Sequence, residues 1–136
     1  MTKITYNDDR VPPRGQVLEL YRANAWSSAD KPEALMAALQ GSDYLVSAWC
    51  GDRLLGLGNA ISDGHLVVYY PHLLVHPEFQ NRGIGMELIQ RLRRPYADFH
   101  QHMITADKAA LGFYRKAGFV RAGETEAMWI YDGDDH

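Results

Sequence analysis

The sequence contains a single cysteine, Cys50, among 136 residues. One thiol excludes an intrachain disulfide and any multi-thiolate metal site, and it suits a reducing compartment. Long apolar runs are also missing: no stretch approaches the ~20 residues needed to span a bilayer. The opening residues Met1-Thr2-Lys3-Ile4-Thr5 lack the charged-then-apolar layout of a secretory signal. The expectation is therefore a cytoplasmic protein with no membrane partner. Positive charge is in short supply too. Fourteen Lys and Arg oppose seventeen Asp and Glu, giving −3 and a pI near 6.0, whereas a protein that coats nucleic acid is expected above ~9. His72, His76, His100 and His102 sit on different elements with no carboxylate motif joining them, so no metal site is expected.

What is present is an ordinary globular composition, 46% hydrophobic and 23% charged. The length suits one domain over residues 1–136. The charge is unevenly placed. Residues 1–79 carry −3, residues 80–121 carry +5, and residues 122–136 carry −5. The middle block suits a local site for an anionic ligand within a mildly acidic protein.

Periodicity gives the elements. Ile4-Thr5-Tyr6 reads as a short strand. Val17, Leu18, Leu20, Tyr21 and Ala25 recur at helical spacing after Pro12-Pro13. Asp30 reads as the N-cap of a second helix whose stripe is Leu35, Met36 and Leu39, closed by Gly41. Three antiparallel strands follow over Tyr44–Cys50, Leu54–Ile61 and His65–Val75, with turns at Gly51-Asp52 and Asp63-Gly64. Pro71 lacks a ladder donor, which suggests a bulge or splayed pairing in the third. A helix from Ile84 to about Arg94 ends before Pro95. His102–Ala106 reads as a strand, Ala109–Ala117 as a short helix closed by Gly118, and Val120–Ala122 with Ala127–Tyr131 as one or two last strands. The last strand leaves a sheet edge that a second subunit would cover, as in a homodimer. The fold class is α/β of the α+β type.

Chemistry concentrates between Leu73 and Leu88, where a strand, a short loop and a helix opening with Gly83-x-Gly85 succeed one another. Amides at a helix start lack intrahelical acceptors, and the helix dipole adds partial positive charge there. Glycine lets oxygen-rich ligands approach those amides, and Arg82 adds a charged fork. A diphosphate fits. The Walker pattern is absent, and the dinucleotide fingerprint fails because position 88 is Leu.

Gln80-Asn81-Arg82-Gly83-Ile84-Gly85 resembles the (Gln/Arg)-x-x-Gly-x-(Gly/Ala) signature of the GNAT superfamily of N-acetyltransferases, which use acetyl-coenzyme A. Leu74-Val75-His76-Pro77 looks like that family's splayed fourth strand. Ala110-Leu111-Gly112-Phe113-Tyr114-Arg115-Lys116-Ala117-Gly118-Phe119 is similar to its second hallmark, Ala-x3-Tyr-x3-Gly-Phe. The element order matches over essentially the whole chain, which implies a mixed, mostly antiparallel sheet of six or seven strands flanked by about four helices.

The resemblance also implies roles. Backbone amides from Asn81 through Arg82, Gly83, Ile84 and Gly85 to Met86 would hold the coenzyme diphosphate, with Gln80 in the same loop. The main chain at Leu74, Val75 and His76 would pair with the pantetheine arm. Tyr114 matches a tyrosine beside the thioester sulfur and suits a general acid for the leaving thiolate. Phe113 and Lys116 would flank the coenzyme. Asp107 stands where the family often has an Asn that contacts pantetheine; an ionised Asp accepts a hydrogen bond but cannot donate one.

An attacking amine must first lose a proton, because alkyl amines titrate near ~10. Family members often place Glu or His seven residues before the His76 position, and here that residue is Tyr69. Tyr69 and His72 are therefore the candidates for base or water-positioning, with Asp63 and Tyr70 as further candidates. Strand alternation puts Tyr69 and His72 on opposite faces unless a bulge near Pro71 resets it. Asp30 and Asp63 favour a cationic small-molecule amine as acceptor. The competing reading is a non-catalytic acetyl-CoA-binding sensor or assembly subunit of the same fold.

Overall fold

The computed structural model describes residues 3–135. Strand β1 (Ile4–Asn7) leads to helices α1 (Arg14–Ala23) and α2 (Pro32–Gln40), then to strands β2 (Tyr44–Cys50), β3 (Arg53–Ser62), β4 (Val67–Tyr69) and β5 (Leu73–Val75). Helix α3 (Ile84–Arg93), strand β6 (Gln101–Met103) and helix α4 (Leu111–Lys116) complete the described elements. The sheet runs β1-β2-β3-β4-β6, with β5 also paired to β3. Among the described strands, only the β4–β6 pairing is parallel.

The two faces of the sheet carry separate cores. On one, α1 and α2 bury Val17, Leu20, Tyr21, Leu35 and Leu39 against Leu45, Trp49, Leu57 and Leu74. On the other, α3 buries Ile84, Leu88, Ile89 and Leu92 against Val46, Leu55, Val68, Tyr70 and Val75. The helical residues on that second face are all within 1% of full burial, and each contributes roughly 1.5–3 kcal/mol by leaving water. Close packing explains Gly58 inside β3, where a Cβ would lie 2.5 Å from Leu92 Cδ1.

The expected third strand, His65–Val75, is two strands. Gly58 faces Leu73 while Ile61 faces Tyr69, so two β3 residues stand opposite three on the other side. The extra residue is accommodated at Pro71, which has no amide to offer the ladder. Asn59 repairs the gap: its side chain accepts from the His72 N–H at 3.0 Å, and its own N–H donates to the His72 carbonyl at 3.1 Å. Beyond the bulge, β5 pairs with β3 alone, whereas β4 continues alongside β6. One edge of β5 is thus left open.

Two further expectations are corrected and one holds. Asp30 is not the cap of α2; it ends the 3-10 turn Ser27–Asp30, and Lys31 occupies the cap position without a side-chain bond. The α-helix does end before Pro95, at Arg93, and a 3-10 turn Arg94–Tyr96 follows it. Val120–Ala122 and Ala127–Tyr131 form no strand. Val120, Met128, Trp129 and Ile130 are exposed, and the segment is anchored at its end, where Lys31 meets Asp132 at 2.5 Å and Ser27 Oγ donates to Asp135 at 2.8 Å. Gly118 does occupy the left-handed position expected after α4, with φ +99.

Candidate active site

The open edge of β5 sets the first half of the site. The His76 N–H donates to the Leu55 carbonyl at 2.7 Å, and a Cβ on Gly56 would meet the Leu74 carbonyl at 2.9 Å. The main chain of Leu74 and His76 therefore turns toward β3, and alternation turns that of Leu73 and Val75 toward the open side. Of the three residues expected to pair with an extended ligand, Val75 is the one whose N–H is available. Its carbonyl accepts from Gln80 Nε2 at 3.0 Å, and this bond ties the end of β5 to the loop before α3. The side chain of Gln80 is thus a brace. His76 acts locally, its Nδ1 accepting from the Glu78 N–H at 3.2 Å.

The loop itself turns on two left-handed residues, Asn81 at φ 64 and Gly83 at φ 83. Asparagine and glycine are the residues that adopt this region at least cost. Among the described residues, the amides from Asn81 to Met86 donate to no backbone carbonyl; the first bond of the helix runs from Glu87 to Gly83. No side chain caps α3. A row of amides ahead of a helix N-terminus is what an anion requires. Arg82 lies over the Phe79 ring, 5.2 Å from its centre. Ile84 is buried and fixes the helix entry, with Met86 packed partly against the same core.

Helix α4 approaches this loop through Phe113, whose ring would sit 3.3 Å from a Cβ on Gly85. Gly85 is therefore a packing glycine, and Phe113 is the wedge that sets α4 against α3. Tyr114 sits edge-on between Phe113, 5.0 Å between ring centres, and Phe119, 5.8 Å. Burial, with the charge of Asp107, pushes the Tyr114 hydroxyl up to about 12. It stays protonated at neutral pH and can serve as a proton donor. Lys116 is exposed on the same helix.

The second half lies on the α1 side of the sheet. The bulge at Pro71 resets alternation, so Leu74 and His72 face α1 while Val68, Tyr70 and Val75 face α3. Tyr69, pointing opposite to its neighbours Val68 and Tyr70, falls on the α1 side with His72 and is 40% exposed. The Tyr21 hydroxyl meets His72 Nδ1 at 2.7 Å. Tyr21, Trp26 and His72 pack edge to face, with ring centres 5.3–5.7 Å apart. Ala25 at φ 58 ends α1 and swings Trp26 back, so that its N–H donates to the Tyr21 carbonyl at 3.0 Å. Burial pulls His72 down to about 4, which keeps the imidazole neutral.

Trp26 also walls a cavity of about 230 Å³ with Arg22, Ser27, Asp30, Asp134 and Asp135. Asp63, expected to bias the acceptor, is instead a turn-former that accepts from the amides of His65, Leu66 and Val67 at 2.8–3.2 Å. The sequence gives no sign that the Tyr21 hydroxyl meets His72, and sequence reasoning missed Asn59. The available signal for Asn59 was a polar residue inside the apolar run Leu54–Ile61.

The family model described as an acetyltransferase (GNAT) domain matches residues 3–129. The chain belongs to the GNAT acetyltransferase family. Among solved structures, a GNAT family acetyltransferase of Streptococcus pneumoniae superimposes with a TM-score of 0.83 at 29% identity, covering 96% of this chain and all of that one. An aminoglycoside N-acetyltransferase solved in complex with CoA shares the fold, with a TM-score of 0.71 at 17% identity over 98% of this chain and 96% of its own. An uncharacterised N-acetyltransferase, ycf52, of Pyropia yezoensis is 29% identical over 92 residues, 62% of this chain. The chain spans about half the length of that relative.

Proposed function

We propose that the protein is an acetyl-CoA-dependent N-acetyltransferase that acetylates a primary amine of a small molecule by direct attack in a ternary complex. The observation that carries this reading is the free Val75 N–H at the open edge of β5, next to the unbonded amides of Asn81–Met86. These residues fit acetyl-CoA: the loop amides would hold its diphosphate, and Arg82 would add charge. Bound there, the cosubstrate supplies an acyl group activated as a thioester. The Val75 N–H would receive the negative charge that develops on the acyl oxygen. Tyr114 would donate its proton to the departing sulfur. The proton of the attacking amine would leave through water, because the two groups nearest the acceptor side, Tyr69 and neutral His72, are weak bases. Asp107 would accept a hydrogen bond from the pantetheine arm, and Lys116 would lie close enough on α4 to favour its phosphate.

Two features support a small cationic acceptor: the volume of the cavity beside Trp26, and the carboxylates of Asp30, Asp134 and Asp135 on its wall. The test is release of free thiol from acetyl-CoA in the presence of polyamines, aminoglycosides, amino acids and peptides. The reading predicts release that depends on a small amine and saturates with both substrates. Tight acetyl-CoA binding with no amine-dependent release would favour a non-catalytic binder, for which the Tyr at position 69, in place of Glu or His, is the supporting observation.

A further inference from the structure

The pair formed by Tyr21 and His72 carries a consequence for the acceptor. Tyr21 is 0% exposed, and burial raises its hydroxyl far above the usual phenol range, so it holds its proton. A buried hydroxyl proton needs an acceptor, since leaving it unbonded costs ~1–3 kcal/mol. The recorded partner of this hydroxyl is His72 Nδ1, at 2.7 Å. Tyr21 therefore donates and Nδ1 accepts. In a neutral imidazole one nitrogen bears the proton and the other does not, which leaves the proton on Nε2.

The ring cannot easily turn over to escape this assignment. Trp26 and Tyr21 both meet it edge to face, and both main-chain groups of His72 are held by Asn59. Nε2 is absent from the buried polar atoms without a partner, among which the described residues show only Arg93 Nε. His72 is partly exposed, so Nε2 reaches the surface on the α1 face of the sheet, next to Trp26.

We propose that Tyr21 locks His72 as the Nε2–H tautomer, so that His72 presents a hydrogen-bond donor to an oxygen of the acceptor and does not take the proton from its amine. Tyr21 is then a positioning residue, and His72 a specificity-determining one. The acceptor class narrows accordingly, to amines that carry a hydroxyl, carbonyl or carboxylate oxygen near the nitrogen, over plain alkyl diamines. This inference rests on the acetyltransferase reading for its substrate, but the tautomer itself does not.

The decisive experiment is long-range ¹H–¹⁵N correlation of the histidine rings in ¹⁵N-labelled protein near neutral pH, with the His72 signals assigned by their loss in His72→Gln. The expected result is a protonated Nε2 and a bare Nδ1, with a detectable share of the Nδ1–H form emerging in Tyr21→Phe. A protonated Nδ1 with a bare Nε2 overturns the proposal. A second arm compares His72→Gln, whose amide N–H falls near the Nε2 position, with His72→Leu, both against an amino alcohol and a diamine. A lost donor bond predicts that KM for the amino alcohol rises about tenfold in His72→Leu and markedly less in His72→Gln, with kcat little changed. Equal loss of kcat in both variants would make His72 a base and overturn the donor role. If no amine releases thiol in the wild-type protein, the acetyltransferase reading fails while the ring spectra still decide the tautomer.

Discussion

The two halves of the site are built from different materials. On the α3 side the proposed working parts are main-chain amides, those of Val75 and Asn81–Met86, and the side chains around them act as braces: Gln80 on the Val75 carbonyl, Phe113 on Gly85. On the α1 side the proposed working parts are side chains, with Tyr21, Trp26 and His72 packed ring against ring. A main-chain site constrains sequence through geometry, demanding left-handed residues and glycines at fixed spacing. A side-chain site constrains it only through which groups meet in space.

Changes that respect this division should separate the two halves. The largest expected effect lies on the α1 side. His72 is held near 4 in the folded protein against 6.5 for the free side chain. Between those values the unfolded chain binds the proton that the folded chain refuses, so stability falls as pH drops from about 6.5 to 4. The full shift corresponds to up to about 3 kcal/mol. Denaturant titrations across that window should show this loss in the wild type and its absence in His72→Gln, with carboxylate effects common to both. Next comes Tyr114→Phe, which removes the proposed proton donor while keeping the ring between Phe113 and Phe119; kcat should fall about a hundredfold with KM for the amine unchanged. An unchanged turnover would remove Tyr114 from the chemistry.

Gly83→Val tests the main-chain half. A branched residue at φ 83 strains the loop and displaces its amides. Calorimetry should show acetyl-CoA affinity reduced about tenfold, near the value of one or two lost charge-assisted hydrogen bonds. The His72 ring signals should not move. The smallest effect is expected for Lys31→Ala, which breaks the bond to Asp132 at the chain's exposed anchor. Ion pairs between exposed groups contribute little, so thermal unfolding should be unchanged within error.

The same division explains how much was legible in the sequence. Asn81 and Gly83 announce the loop because its left-handed turns favour them and Gly85 because Phe113 packs against it, while the resemblance to the GNAT signature rests on Gln80, Gly83 and Gly85. The order of the elements, the split at Pro71 and the end of α4 at Gly118 were legible for similar reasons. His72 was visible only as a candidate, because its face depends on whether a bulge exists, and a one-residue shift decides it. The pairing of Tyr21 with His72 was invisible, since the partner lies 51 positions away. The segment after Gly118 failed differently. Ala127–Tyr131 has strand-forming side chains, yet strand formation needs a neighbour to pair with, and within the described chain none does.

The charge pattern fits the division too. The +5 block over residues 80–121 spans the amide loop and the Tyr114 helix, while acids from the −5 terminal segment reach the wall beside Trp26. The proposed anionic cosubstrate on one side and cationic acceptor on the other match that arrangement.

The most direct test is one steady-state experiment: amine-dependent thiol release by the wild type, Gly83→Val and His72→Leu, with KM determined for acetyl-CoA and for an amino alcohol in each. The account predicts that Gly83→Val raises KM for acetyl-CoA alone and His72→Leu raises KM for the amine alone. If both constants rose together in either variant, the two halves would not be separate sites and the division would be contradicted.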